Sequence, residues 1–112
     1  MKYAVLIYGS PDAFEGMGED ERQAVYGEDL DLIGAPGVRG SAQLQPVATA
    51  VTVRVRDGKM LTTDGPFPEM KEYFAGFYIF EAESRDAAVE FAVRLPAARM
   101  GGAVEVRPIV QT

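Results

Sequence analysis

Two stretches of the chain are apolar at nearly every position. Residues 2–8 and 76–82 contain few polar side chains, which is typical of strands covered on both faces and unlike the alternation of a strand with one wet face. Two weaker strands are predicted at residues 38–45 and 103–110, the second with valines alternating with charged residues. The pattern therefore predicts a sheet whose two central strands are residues 2–8 and 76–82.

A third pattern predicts a β-hairpin. From residue 51 to residue 56, valine alternates with threonine or arginine, and Asp57-Gly58 follows. Both residues tolerate the positive φ angles that a two-residue hairpin turn requires. The returning strand is predicted at residues 59–63.

Helical spacing of apolar residues marks two further segments. The first is residues 19–33, with these apolar residues predicted roughly on one face: Val25, Tyr26, Leu30 and Ile33. Its acidic residues are predicted on the opposite face: Glu21, Glu28, Asp29 and Asp31. The second helix is predicted to begin after Ser84, a good N-cap, and to stop at Pro96.

The order of these elements is strand, helix, strand, hairpin, strand, helix, strand. Without the inserted hairpin, this is the split βαβ order of a ferredoxin-like α+β sandwich. Two helices can cover only one face of the sheet, so we expect a second copy of the chain to bury the other face in a homodimer.

Length and charge limit the possible partners. The 112 residues predict a single domain spanning residues 1–112. No apolar run approaches the ~20 residues that span a bilayer, and the N-terminus lacks a signal-peptide pattern, so we expect a cytoplasmic protein. The formal net charge of -6 argues against binding to nucleic acid.

The absence of cysteine and histidine removes several kinds of chemistry. Thiolate nucleophiles, Ser-His-Asp triads and metal sites built from cysteine or histidine are excluded. Acid-base chemistry must use Asp, Glu, Lys or Tyr. We predict no metal and no cofactor.

The segment from residue 62 to residue 78 is longer and more charged than a chain reversal requires. Two interpretations of its Asp64-Gly65-Pro66-Phe67 sequence remain open. The residues form a rigid turn whose phenylalanine fills the core, or the turn directs Asp64 into a cavity as a general base. In the second case neighbouring aromatic side chains raise the pKa of that carboxyl by desolvation.

The same segment resembles the DGPF-domain proteins of the YCII-related family. The resemblance is carried by residues 63–72, by Gly76-Phe77-Tyr78 and by residues 102–108. It implies a dimeric α+β barrel with a pocket in each subunit, a bacterial origin and, often, a gene beside an extracytoplasmic-function sigma factor. The His and Asp pair suspected of catalysis in many relatives is missing, because this chain has no histidine.

The candidate site residues combine that motif with side chains on the strands. Asp64 is the candidate base, and Lys71, beside Glu69, is the candidate anchor for an anionic substrate. Arg107 is a second candidate anchor at the rim of the cavity. The candidate walls and polar contacts of the cavity are aromatic: Phe67, Tyr8 and Tyr78.

Two functions follow from this set. The first is a cofactor-independent enzyme that abstracts a proton from a small organic acid or aromatic compound, as a lyase or isomerase does. The second is a non-catalytic module that binds a ligand or a partner and is linked to sigma-factor-dependent transcription. Both use the same pocket.

Overall fold

The computed structural model describes residues 1–11, 17–65 and 72–111. Within these residues the chain forms six strands and two helices. They are, in order, β1 (Lys2–Gly9), α1 (Glu19–Ile33), β2 (Val38–Gln43), β3 (Val51–Arg56), β4 (Lys59–Asp64), β5 (Tyr73–Glu81), α2 (Arg85–Val93) and β6 (Ala103–Pro108). Short 3-10 turns lie at Val47–Thr49 and Pro96–Ala98.

The main sheet has the predicted ferredoxin-like order. Its strands run β2-β5-β1-β6, all neighbours are antiparallel, and β3 and β4 form a separate two-stranded sheet. The two apolar stretches are therefore the central strands. The α+β ferredoxin-like prediction with an inserted hairpin, the subunit architecture of dimeric α+β barrel proteins, is confirmed.

The core lies between the helices and one face of the main sheet. Tyr3 lies opposite Phe80, and Val5 lies opposite Tyr78, across the pairing of β1 and β5. All four side chains are buried, together with residues from both helices. These cross-strand pairs fix the register, because a slip of one residue would turn each of them to the other face.

Helix α2 matches its prediction. Ser84 caps it, since the serine Oγ accepts a hydrogen bond from the backbone N–H of Ala87 at 3.2 Å. Ala88 and Phe91 are buried on its inner face. The helix ends at Val93 before Pro96, as the missing N–H of proline requires.

Helix α1 has the predicted bounds, but the prediction of its buried face was wrong. Only Leu32 is buried among its residues, whereas Tyr26 and Leu30 remain 53% and 56% exposed. The reason is that much of this helix borders a cavity and solvent instead of the core. Neither helix within the described ranges is both long and apolar enough to cross a bilayer.

Strand ends differ from the prediction by two or three residues. β2 stops at Gln43 and β6 at Pro108, while β5 begins at Tyr73. The hairpin turn agrees with its prediction, since Asp57 and Gly58 have φ angles of 52° and 74°.

Two glycines are expected to respond in opposite directions to the same substitution. A Cβ on Gly102 would lie 2.2 Å from the backbone carbonyl oxygen of Tyr8, whereas a Cβ on Gly27 would meet nothing within 4 Å. Backbone cannot move aside cheaply, so Gly102→Ala should lower the free energy of unfolding by about 1–3 kcal/mol. Gly27→Ala, inside α1, should raise it by roughly 0.5–1 kcal/mol. Urea denaturation measures both changes, and equal effects of the two variants would contradict the expectation.

Candidate functional site

A cavity of about 540 Å³ opens between α1 and the end of the main sheet. Its size lies in the range of small-molecule pockets. Most of its lining is apolar and comes from β1, α1, the segment after β2 and the segment after α2, including Ile7, Val25, Ile33, Leu44, Leu95 and Met100. The cavity exists because α1 contacts the sheet mainly near its C-terminal end, through Leu32, leaving space under the rest of its inner stripe.

Asp29 is the one charged side chain among the described residues that line this cavity. It follows Val25 by four positions and precedes Ile33 by four, so the three residues form one stripe of the helix. Burial raises the pKa of the Asp29 carboxyl, and the neighbouring Glu28 carboxylate raises it further, while Arg99 acts in the opposite direction. The cavity therefore holds a carboxyl whose proton affinity is increased by its surroundings.

Tyr78 lies beside Asp29 on the floor of the cavity. Its side chain is 4% exposed, and its hydroxyl donates a hydrogen bond of 3.4 Å to the backbone carbonyl oxygen of Asp29. Burial, and then the charge of Asp29, raise the pKa of the Tyr78 hydroxyl. The tyrosine thus remains protonated and contacts the helix turn that carries the carboxyl.

An ion pair joins two walls of the cavity. The Arg99 guanidinium, after the turn at Pro96–Ala98, donates to the Glu28 carboxylate of α1. Both side chains are about half exposed, 51% and 47%, so we expect this pair to contribute little to stability. Its place next to Asp29 matters more, because its two members shift the pKa of the Asp29 carboxyl in opposite directions: Glu28 raises it and Arg99 lowers it.

Comparison with known proteins agrees with the fold and motif. A sequence model of the YCII-related domain matches residues 1–112. The chain belongs to the YCII-related family. An uncharacterised protein of Rhizobium meliloti (strain 1021) is 35% identical over 115 residues, which cover 97% of this chain and 92% of that protein.

A solved structure has a similar fold to this YCII-related chain. It is 5-chloro-2-hydroxyhydroquinone dehydrochlorinase (TftG) from Burkholderia phenoliruptrix AC1100, in complex with 2,5-dihydroxybenzoquinone. The TM-score is 0.57 at 17% sequence identity, and the match covers 100% of this chain and 96% of that chain. At this identity the likeness supports the fold alone.

The structure places the predicted base of this YCII-related protein away from the described cavity lining. Asp64 ends β4, opposite Val51, and its side chain is exposed. Its role as a base therefore stays a prediction. Phe67, Glu69 and Lys71 lie outside the described residues, and their predicted roles also stay predictions.

The three candidates on the main sheet are not brought together. Tyr78 lines the cavity, whereas Tyr8 packs against Phe74 with ring centroids 5.5 Å apart. Arg107 lies opposite Ala4 on β6. Because Val104 and Val106 pack on the core, alternation turns Arg107 to the sheet face away from the helices.

Asp29 was not among the site residues predicted from the sequence, because it was predicted on the face of α1 opposite the apolar residues. A signal was present in the spacing, because Val25, Asp29 and Ile33 share one stripe and the two outer residues are apolar. Among residues 1–11, 17–65 and 72–111, no group of three acidic side chains is placed to hold a metal ion.

The charges around Asp29 give a testable pH dependence. Arg99→Gln removes the cation that lowers the pKa of Asp29, so that pKa should rise further above 3.8. Glu28→Gln removes the anion that raises it, so that pKa should fall toward 3.8. The carboxyl carbon of Asp29, followed by NMR during a pH titration, reports both shifts. Shifts of the same sign in both variants would contradict this account.

Proposed function

We propose that this YCII-related protein binds a small, largely apolar ring compound in the cavity beside α1 and transfers a proton there, as lyases and isomerases do. The observation that carries the proposal is the carboxyl of Asp29 in a mostly apolar lining that has no other charged side chain among the described residues. Burial raises the pKa of this carboxyl, so its carboxylate binds a proton more tightly than an exposed one does, which favours it as a general base. No cofactor is part of the proposal.

The proposed step needs only groups of this chain and the substrate. An Asp29 carboxylate oxygen takes the proton of an acidic C–H or O–H bond, and the electron pair of that bond enters the ring. The pair then expels a leaving group, which gives elimination, or takes the proton back at another ring atom, which gives isomerisation. Tyr78 supports the carboxyl through its hydrogen bond to the Asp29 backbone.

The solved structure of similar fold supports the class of ligand. That protein is named a dehydrochlorinase, and the compound in its structure is 2,5-dihydroxybenzoquinone. Loss of hydrogen chloride is an elimination that begins or ends with removal of a proton. We transfer to this chain only the class of compound, a small hydroxylated ring.

The same proton transfer has an alternative arrangement in which motif residues supply the base and the anchor. Asp64 would act as the base and Lys71 as the anchor of an anionic substrate, with Phe67 and Glu69 beside them. Arg107 and Tyr8 would then contact substrate from the sheet. In that arrangement Asp64→Asn, and not Asp29→Asn, removes turnover.

One observation favours a second candidate function. Among the described lining residues, Asp29 has no charged partner that could return or accept its proton. A binding module without turnover, linked to sigma-factor-dependent transcription, would need no such partner. Binding of a ring compound with no change in its absorbance spectrum would support this second function.

The test is a thermal-shift and absorbance screen of the wild-type protein. The probes are 2,5-dihydroxybenzoquinone, chlorinated hydroquinones, phenol and benzoate, with cyclohexanol as a non-aromatic control. We expect a hydroxylated aromatic or quinone ring to raise the melting temperature and to be converted, with a change in its ultraviolet spectrum. If no aromatic or quinone compound raises the melting temperature more than cyclohexanol does, the proposal is wrong.

A further inference from the structure

A β-bulge at Ala75 decides which side chain near the start of β5 faces the cavity. Ile7 of β1 pairs with Gly76, but the next residue of β1, Tyr8, pairs with Phe74. Ala75 is therefore the extra residue of β5 at this point. A bulge of this kind reverses the alternation of side chains along the strand that carries it, and bulges are frequent beside active sites.

The reversal places Tyr73 on the cavity side of the main sheet. Tyr73 pairs with Gly9 of β1, and directly opposed residues of an antiparallel pair share one face. Gly9 follows Ile7 by two positions, and Ile7 packs on the core between the sheet and the helices. Both Tyr73 and Gly9 belong to the cavity lining. The bulge thus supplies the cavity with a tyrosine that regular alternation would turn to the other face.

Gly9 makes room for the hydroxyl end of the Tyr73 ring. A Cβ on Gly9 would lie 2.7 Å from Cζ of Tyr73 and 2.8 Å from its hydroxyl oxygen. Both distances are shorter than the ~3.5–4.0 Å at which carbon atoms pack. Any side chain at Gly9 would therefore displace the ring, and the glycine is the reason why the hydroxyl can lie against β1.

The Tyr73 hydroxyl has hydrogen-bonding capacity that the described residues do not use. In the part of the chain that the structure describes, no hydrogen bond involves it, whereas the Tyr78 hydroxyl donates to the backbone of Asp29. No buried side-chain oxygen or nitrogen in that part lacks a partner, so the Tyr73 hydroxyl is open to the cavity or to solvent. A phenolic hydroxyl both donates and accepts. It can therefore bind an oxygen atom of a ligand.

Tyr73 and Asp29 lie at different places along the cavity. Asp29 meets the floor of the cavity at Tyr78 through the hydrogen bond of that tyrosine. Tyr73 precedes Tyr78 on β5 by five residues, which separates their Cα atoms by roughly 15 Å. A single ligand that contacts both Asp29 and Tyr73 must therefore carry its polar groups at opposite ends.

We propose that Tyr73 is a ligand-binding residue whose hydroxyl bonds a ligand oxygen remote from the atom that Asp29 deprotonates, and that Gly9 positions it. The ligand class is then an elongated ring compound with a second oxygen on a substituent. The mostly apolar lining between the two polar groups holds the ring. The role of Asp29 in this inference rests on the proposed function, but the contact with Tyr73 is tested by binding alone.

Calorimetry with two probes of the same carbon skeleton tests the hydrogen bond. Tyrosol, a phenol with a hydroxyethyl chain opposite its hydroxyl, has an oxygen at each end, and ethylbenzene has none. Tyr73→Phe should weaken the binding of tyrosol roughly 2–10-fold, the effect of one lost hydrogen bond, and that of ethylbenzene by less than about 2-fold. Tyr26→Phe is the matched control, at a 53% exposed position of α1 outside the described cavity lining, and should change neither. Equal weakening of both probes by Tyr73→Phe, no weakening of either, or no binding of tyrosol to the wild type would overturn the proposal.

A double variant tests the positioning role of Gly9. Gly9→Ala should weaken the binding of tyrosol about as much as Tyr73→Phe does, because the added Cβ displaces the ring. The variant with both substitutions should bind tyrosol no more weakly than the weaker of the two single variants, since both remove the same contact. Losses that multiply in the double variant would show that Gly9 does not act through Tyr73.

These binding measurements separate the inference from the proposed function. If no ring compound is converted but Tyr73→Phe still weakens tyrosol selectively, only the proton transfer is wrong. If ring compounds are converted and Tyr73→Phe leaves tyrosol binding unchanged, only the role of Tyr73 is wrong.

Discussion

Asp29→Asn is expected to reduce turnover of a ring compound by about 10²–10⁴-fold, the contribution of general acid-base catalysis. Asparagine has the same size as aspartate but cannot accept the proton. Binding of an uncharged ring should persist, because most of the lining is apolar and unchanged. The measurement is turnover, by absorbance, of the compound that the wild type converts, together with the melting-temperature increase which that compound gives.

Two control variants separate Asp29 as the base from a general effect of removing a carboxylate from α1 and from Asp64 as the base. Asp31→Asn removes a carboxylate from the same helix, at an exposed position outside the described cavity lining, and should leave turnover unchanged. Asp64→Asn tests the motif carboxylate directly. If Asp64→Asn removes turnover while Asp29→Asn retains it, the base is the motif residue, and the assignment of Asp29 is wrong.

Asp29→Asn also has a consequence that needs no ligand. The folded-state pKa of Asp29 is raised above 3.8, so the folded state favours the protonated carboxyl. Its contribution to stability is present below about pH 3.8 and is lost as the pH rises through the folded-state pKa. Relative to wild type, Asp29→Asn should therefore gain stability as the pH rises from about 3.8 through the folded-state pKa of Asp29. A constant difference across that range in urea titrations would contradict the raised pKa.

The sheet could be predicted from sequence because its signal is local. Residues 2–8 and 76–82 are almost continuously apolar, and a run of that length fits a central strand better than a helix. The cap at Ser84 and the turn at Asp57-Gly58 are also set by the chemistry of one or two residues. These elements needed no tertiary information, and the structure agrees with each of them.

The cavity could not be predicted in the same way. Whether Asp29 faces solvent or a pocket depends on how far α1 stands from the sheet, which is decided by the contacts of Leu32 and by the turn after α2. The amphipathic pattern of α1 is weak, because acidic residues occur on every side of the helix. The spacing of Asp29 with Val25 and Ile33 was therefore the one local signal that separated it from Glu28 and Asp31, and the weak pattern of the helix obscured that signal.

The family motif predicted the family but not the position of the cavity. It identified the family correctly, and the family model matches residues 1–112. It also concentrated the candidate site on residues 62–78, where Asp64 is exposed at a strand end. A family motif indicates which residues define a fold and its loops, whereas the position of a ligand is a property of the assembled walls.

Phe91→Ala is expected to cause the largest loss of stability. Phe91 is 3% exposed, stacks on Phe80 with ring centroids 4.3 Å apart and meets the edge of Tyr78 at 5.3 Å. Removing a buried phenylalanine ring costs about 3–5 kcal/mol, a large part of the ~5–15 kcal/mol that stabilises a typical domain. Urea denaturation at one fixed protein concentration measures the change, since any self-association would add to the apparent stability.

The same substitution should weaken the site, because Phe91 supports the ring of Tyr78, which in turn contacts the Asp29 backbone. Phe91→Leu retains much of the buried volume and should recover a large share of the stability, but not the edge contact with Tyr78. Val93→Ala, at a 66% exposed position of α2, should change stability by no more than about 0.5 kcal/mol. A loss below about 1 kcal/mol for Phe91→Ala would mean that the ring is not the centre of this core. If Phe91→Leu instead matches Phe91→Ala, the contacts among the three aromatic rings, one stacked and one edge-on, and not the buried volume, hold α2 on the sheet.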